Sequence, residues 1–262
     1  MIHVESWGIA TSVVDAGRSG RAWLGQSRGG AVDPEALALA NRLVGNPKRT
    51  LGIETSGGLQ LIIHRPVMLA LAGALADVAV TGGLPVGWGQ PVVLPAGSRL
   101  RVGRLLDGAR VYVALRGGAV VRGDELSVGP DPAVPAATVS APRPAARTTL
   151  RVWPGPRSAW FSDSAWPTLL TAGYTVTSTS RVGVRLAGAP LTRARPGQLP
   201  SEGMVEGAVQ VPPDGQPIIM LADHPTTGGY PVIAVVDPAD VAAAAQAAPG
   251  STLRFSPARH PR

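Results

Sequence analysis

Short apolar runs of strand length recur along this chain, each closed by glycine, proline, asparagine or aspartate. In the first half they cover residues 59–63, 67–71, 78–81, 90–94, 99–102 and 110–115. In the second half they cover 150–153, 174–179, 183–186, 208–211, 218–221, 232–236 and 252–255. Runs this short, spaced this evenly between turn residues, predict a barrel or a sandwich. Between the two sets lies GPDPAVPAATVSAPRPAARTT, residues 129–149, where proline and alanine follow no period. That segment reads as a connector or a long excursion.

Two places carry helix starts. Asp33-Pro34-Glu35 and Asp237-Pro238-Ala239-Asp240 each set an acidic cap before a proline at the first helical position, and each opens a run rich in alanine. The first run aligns Leu37, Ala40 and Val44 at helical spacing and stops at Gly45-Asn46. A doubly wound parallel sheet needs a helix after almost every strand, and one helix per half is too few. The expected fold is mainly β: two β-barrel domains, 1–135 and 136–262, with the boundary inside 129–149 and few accessory helices.

Composition narrows this further. A chain of 262 residues is at the size where one core tends to split into two. Its 33 glycines and 26 prolines disfavour a helical bundle. There is no cysteine, which removes disulfides, thiolate nucleophiles and cysteine-held zinc or iron. No basic n-region with an apolar h-region opens the sequence and no eighteen apolar residues run together, so the expectation is a cytoplasmic protein with no membrane partner. The net charge of +7 comes from scattered arginines and a single lysine, Lys48, with aromatics at 4%. That is a poor platform for nucleic acid, and none is expected as a partner.

The search for chemistry excludes more than it finds. There is no phosphate-binding G-x-x-x-x-G-K-[ST] and no G-x-G-x-x-G. His3, His64, His224 and His260 are far apart, so no metal is expected. Gly25-Gln26-Ser27-Arg28-Gly29 matches the nucleophile elbow G-x-S-x-G, yet the strand that must precede such an elbow is missing, and a glycine-rich loop that merely contains a serine is the better reading.

Polar residues concentrate in three glycine-punctuated segments. The first, 11–33, holds Asp15, Arg18, Arg28, Gly30 and Asp33; its glycines let backbone N–H groups approach an anion, and its arginines are forked donors for carboxylate or phosphate, although Asp15 equally suits a tight turn. The second, 41–54, runs from Asn41 to Glu54, a carboxylate entering an apolar run that needs a partner or a role. The third, 221–231, brings Asp223, His224, Thr226, Thr227, Gly228, Gly229 and Tyr230 to the end of an apolar strand, where sites usually form. Asp223 and His224 are candidates for acid–base work, with a structural turn as the alternative.

Taken in order, these segments resemble the family known as allophanate hydrolase subunit 2 or biotin-dependent carboxyltransferase-like, which includes the 5-oxoprolinase C subunit and the kinase A inhibitor antagonist. The likeness runs from about Val4 to Phe255 and rests on 15–20, 30–33, 40–46, 53–54, 112–118, 123–124, 152–157, 181–186, 207–212 and 223–231. The chain departs from the family pattern at Val14, Ser27, Gly29 and Pro225 and is shortened between Gly118 and Gly123. The resemblance implies two cyclophilin-like β-barrels and a substrate or anion site drawn from the residues named above together with Gln210. It implies a companion of the 5-oxoprolinase B-subunit or kinase A inhibitor type, a third subunit, and a small-molecule substrate. The activity implied is the ATP-dependent opening of 5-oxoproline to glutamate. Two alternatives come with it: a biotin-dependent carboxyltransferase component acting on urea or a related amide, with biotin on a separate carrier, or a non-catalytic regulator of the kinase inhibitor.

Overall fold

A computed structural model describes residues 1–195, 197 and 199–259; His260 lies outside the described residues. The chain forms two compact units. One comprises 1–17 and 33–145, the other 18–32 and 146–262. Residues 18–32 thus belong with the second unit although they fall within the first unit's stretch of sequence.

The first unit holds strands β1 (Ile2–Ser6), β2 (Ser12–Val14), β3 (Gly52–Thr55), β4 (Leu59–Ile63), β5 (Val67–Thr81), β6 (Pro91–Leu94), β7 (Arg99–Leu115), β8 (Ala119–Arg122) and β9 (Glu125–Val128), with helix α1 (Pro34–Leu43). They form one barrel-like sheet in the order β2-β3-β7-β4-β1-β9-β8, with β5 paired to β6 and β7. In β4 the period-two alternation buries Leu59, Leu61 and Ile63. The separate runs at 67–71 and 78–81 are one strand, β5, and those at 99–102 and 110–115 are one strand, β7. The small and polar residues that read as breaks between them, Gly73, Asp107 and Gly108, lie where the β5–β7 register shifts at bulges, so the strands bend without ending.

Helix α1 starts as its sequence dictates. The Asp33 side chain accepts from the Ala36 N–H at 3.0 Å, and Pro34 occupies a position with no N–H to satisfy. Its apolar face, Ala36, Leu37, Ala40 and Leu43, is buried. Segment 129–145 is an excursion held on this unit by the Arg116 guanidinium, which bonds Asp131, the Pro132 and Val134 carbonyls and the Val44 carbonyl at the end of α1.

The second unit closes fully. Strands β10 (Thr149–Pro154), β11 (Gly173–Thr179), β12 (Gly183–Ala187), β14 (Ala208–Gln210), β15 (Ile218–Met220), β17 (Val232–Val236) and β18 (Thr252–Pro257) form a barrel in the order β10-β17-β14-β15-β12-β11-β18, closed by parallel pairing of β10 with β18. A side ladder pairs β13 (Glu202–Gly203) with β16 (Thr227–Gly228). Alternate residues such as Leu150, Val152, Leu253 and Phe255 fill the interior, where the Tyr174 ring meets Phe255 edge-on. Helix α2 (Ala165–Thr171) is absent from the sequence expectation; its Pro167 sits in the first turn, where no intrahelical donor is lost. Near the C-terminal end, Asp237 caps a single 3₁₀ turn that leads into α3 (Val241–Ala245).

Asp240, 2% exposed, fastens that turn to β10. Its carboxylate accepts from the Arg151 N–H at 2.9 Å, from Arg151 Nε at 2.8 Å and Nη2 at 2.9 Å, and from Arg147 at 3.2 Å. The Arg151 hydrogen bonds hold the carboxyl below its usual range against the opposing effect of burial. A folded-state value below the unfolded one gives stability that is complete above the unfolded carboxylate range and is lost as pH falls through the folded value. Asp240→Asn therefore lowers unfolding free energy by about 2 kcal/mol at pH 7 and flattens the acid limb of the stability profile, as urea unfolding between pH 3 and pH 7 will measure.

Candidate functional site

The second unit gathers residues 18–32 of the first polar segment and the whole of the third. Residues 18–32 leave and re-enter over a backbone bond, Arg18 N–H to the Arg28 carbonyl at 2.7 Å, so the loop is closed at its base. Gly29 and Gly30 follow with φ of 60° and 71°, a left-handed pair that side-chain-bearing residues adopt at a cost. There the Gly29 N–H reaches the Ala222 carbonyl at 3.0 Å. Arg181 completes the join: it forks Asp223 at 2.7 and 3.1 Å and donates to the Gly30 carbonyl at 2.7 Å. Arg28 forks Glu206 at 2.7 and 2.9 Å and also bonds the Ala31 carbonyl at 3.1 Å.

A third fork, Arg157 with Glu202, sets the side ladder. The arginine holds the Glu202 carboxyl below its usual range. Glu202 pairs with Gly228 and Gly203 with Thr227, which places the 226–230 loop. A Cβ at Gly228 would lie 2.4 Å from Met204 Cε and 2.7 Å from Gln210 Nε2, so the ends of those two side chains would have to shift to admit one. Buried Gln210 donates to the Tyr230 carbonyl at 3.1 Å, and Arg193 lies 5.8 Å over the half-exposed Tyr230 ring. The Leu199 N–H donates to the Gly229 carbonyl at 3.2 Å, and the Met204 N–H to the Thr226 carbonyl at 2.9 Å.

Asp223 and His224 have different partners. Asp223, with its carboxylate one-third exposed, is paired with Arg181. His224 is buried and its Nδ1 lies 2.7 Å from the Pro225 carbonyl. A carbonyl only accepts, so Nδ1 carries a proton, and the neutral ring then has its lone pair at Nε2. Arg181 fixes the neighbouring Asp223 carboxylate. Ser27 lacks the elbow: a single 3₁₀ turn, Ala22–Leu24, precedes it in place of a strand.

The other named residues lie in the first unit. Asp15 accepts from the Gly17 N–H at 2.8 Å, a turn of its own making. Buried Glu54 accepts from the Tyr112 hydroxyl at 2.7 Å with Arg110 Nε 3.7 Å away, and that hydroxyl accepts from the Asp33 N–H at 2.9 Å. Burial first, then the Glu54 charge, raises the Tyr112 pKa well above its ordinary value, so the phenol stays a donor. Asn41, also buried, donates to the Thr50 carbonyl at 2.8 Å and accepts from Asn46 at 2.9 Å; Asn46 in turn reaches the Leu115 carbonyl and the Gly117 N–H. Asp33, Asn41 and Glu54 thus anchor α1 and its following turn to the sheet.

That turn shapes a hollow of about 490 Å³ lined by Ala16, Pro34, Glu35, Ala38, Arg42, Lys48 and Arg49. Glu35, Ala38 and Arg42 are the outward stripe of α1 at spacings of three and four. Its lining carries three cations, Arg42, Lys48 and Arg49, against one carboxylate, Glu35. Among the described residues no group of three metal-capable side chains is gathered, and no helix is long and apolar enough to cross a membrane. Arg181, Glu206 and the lining arginines Arg42 and Arg49 were not singled out from sequence as site residues. Arg181 and Glu206 carry no local mark, since their partners lie 42 and 178 positions away.

Residues 24–122 and 119–257 match the family described as carboxyltransferase domain, subdomain A and B. The chain belongs to the carboxyltransferase-domain family. It is 32% identical to the 5-oxoprolinase C subunit of Escherichia coli (strain K12), over 97% of this chain and 90% of that protein. It is 28% identical to the urea amidolyase of Lachancea kluyveri, spanning 97% of this chain but only 17% of that much longer protein. Among solved structures, that of TTHA0988 has the same fold with a TM-score of 0.82 at 32% identity, covering 97% of this chain and 56% of that one. These likenesses support the mainly β architecture with two barrel-like sheets that the carboxyltransferase-domain motifs imply.

For this carboxyltransferase-domain chain the Glu54 network has a stability consequence. Tyr112→Phe strips a donor from a buried carboxylate and an acceptor from the Asp33 N–H, and costs about 2–3 kcal/mol in chemical denaturation. A loss under about 0.5 kcal/mol would show that the network is not what anchors α1.

Proposed function

We propose that this chain is one subunit of an ATP-dependent 5-oxoprolinase-type complex that opens 5-oxoproline to glutamate. The single observation that carries the reading is the near full-length likeness to the 5-oxoprolinase C subunit, which covers most of both proteins. The name of that relative makes it one part of a larger assembly, and companion subunits are expected here on the same ground.

The chemistry asks for what the two units offer. A lactam carbonyl is a poor electrophile until its oxygen carries a better leaving group, and phosphorylation supplies one, so the assembly must handle a carboxylate and a phosphoryl group together. The basic hollow fits a carboxylate or a phosphate. None of its lining residues is aromatic, so it offers no stacking surface for a purine, and ATP is best treated as a cosubstrate bound by the complex as a whole. In the second unit, His224 Nε2 is the group best suited to accept a proton from attacking water, with the Arg181–Asp223 pair holding the loop in place.

A carboxyltransferase reading has its own support in the urea amidolyase relative. It requires carboxybiotin on a carrier outside these 262 residues, because their one lysine, Lys48, follows Asn46-Pro47 and lines the hollow. Avidin separates the two readings.

Reconstitution with the companion subunits is expected to give glutamate from 5-oxoproline only with ATP and with no effect of avidin. Turnover that is absent from a verified intact complex, or that avidin abolishes, overturns the proposal. His224→Gln should lower kcat about 100-fold with the complex still assembled. Lys48→Glu combined with Arg49→Glu should raise KM for 5-oxoproline or for ATP about tenfold or more, while leaving thermal stability within a degree or two.

A further inference from the structure

The loop closed by the Arg18–Arg28 backbone bond has a base and a tip with opposite characters. At the base, Arg28 is held by Glu206 and the Ala31 carbonyl, Gly29 by the Ala222 carbonyl and Gly30 by Arg181. At the tip every residue from Arg18 to Gln26 is exposed. The tip still has a defined backbone: Leu24 N–H bonds the Arg21 carbonyl at 3.0 Å, Gly25 N–H bonds the Ala22 carbonyl at 2.9 Å, and Gly25 turns the chain at φ 73°. This single turn presents Trp23 at 81% exposure beside Leu24 at 53%.

A large apolar ring held outward on a fixed loop gains nothing from this chain's own core. Trp and Arg are the side chains that most often anchor interfaces, and both are here: Arg18 and Arg21 are exposed on the same loop tip as Trp23. Neither guanidinium has an ion-pair partner among the described residues, and no acidic residue occurs from Arg18 to Val32. The surface is therefore an apolar knob with a positive collar.

We propose that the Trp23–Leu24 tip is the anchor by which this chain docks a companion subunit, entering an apolar pocket on that partner rimmed by carboxylates. The proposal rests on the reading of the chain as one member of a multi-subunit enzyme. The occupant is fixed by complementarity: a second copy of this chain would bring the same positive collar against its own, whereas a carboxylate-rimmed pocket turns that collar into attraction. Because the base is pinned, little order has to be bought at the moment of binding.

The experiment measures, by calorimetry, the affinity between the purified chain and its purified companion, with thermal unfolding of each variant alongside. Trp23→Ala is expected to weaken binding at least 30-fold with an unchanged Tm, since the ring contributes nothing to the fold. Arg21→Glu is expected to slow association and to reverse the effect of salt on it. Wild-type affinity in Trp23→Ala overturns the anchor while leaving the multi-subunit reading intact. Failure of the wild-type chain to bind the companion at all overturns that reading and the anchor with it. Loss of self-association in Trp23→Ala by sedimentation, with companion affinity unchanged, assigns the tip to a second copy and overturns the proposal.

Discussion

Arginine–carboxylate forks are the constraint on which the polar loops of the second unit depend. A strand-built barrel specifies its own interior through alternation, but it says nothing about the loops at its ends, whose backbones have no ladder to join. Three two-pronged pairs do that work here: Arg28 with Glu206, Arg181 with Asp223, and Arg157 with Glu202. Each is partly buried, where a planar fork loses less to water and salt than a flexible ammonium would. Arg181 matters most, because one guanidinium binds both the 223 carboxylate and the Gly30 carbonyl and so couples two loops that are far apart in sequence.

This explains which parts were legible beforehand. The strand runs and the Asp33–Pro34 helix start are local signals, and the structure carries them as β4, β6 and α1. Gly73, Asp107 and Gly108 misled because a bulge and a turn use the same residues, and only the partner strand decides which occurs. Asp33, Asn41 and Glu54 stood out for the right reason, polar groups where apolar ones were expected, but a carboxylate that caps a helix or receives a tyrosine hydroxyl looks the same in sequence as one that meets a ligand. Arg28 stood out as a forked donor and Asp223 as a polar candidate, but the pairing of the forks was not legible, since nothing near Glu206 marks it as the partner of Arg28.

The charge of the chain acquires a pattern once these pairs are known. Arginines 28, 99, 101, 116, 143, 151, 157 and 181 all face carboxylates. Their charge is answered within the molecule and offers little to a partner. Among the cations with no carboxylate partner in the described structure are Arg42, Lys48 and Arg49 around the hollow, and Arg18 and Arg21 around the exposed tryptophan. The net charge of +7 is thus a poor guide to a nucleic-acid partner and a better one to two local surfaces, one concave and suited to a small anion, the other convex and suited to a protein.

These two surfaces bear on why such a chain would act as part of an assembly. Opening a lactam by way of a phosphorylated carbonyl requires a nucleotide site, a substrate site and exclusion of water while the activated intermediate exists. The first unit contributes a cationic hollow without a purine-stacking wall, and the second a histidine whose Nε2 lone pair is set by the bond at Nδ1. In the proposed docking, the pinned loop that presents an indole outward would bring a neighbouring polypeptide to the second unit, and that neighbouring surface would be the simplest source of the closure such chemistry demands.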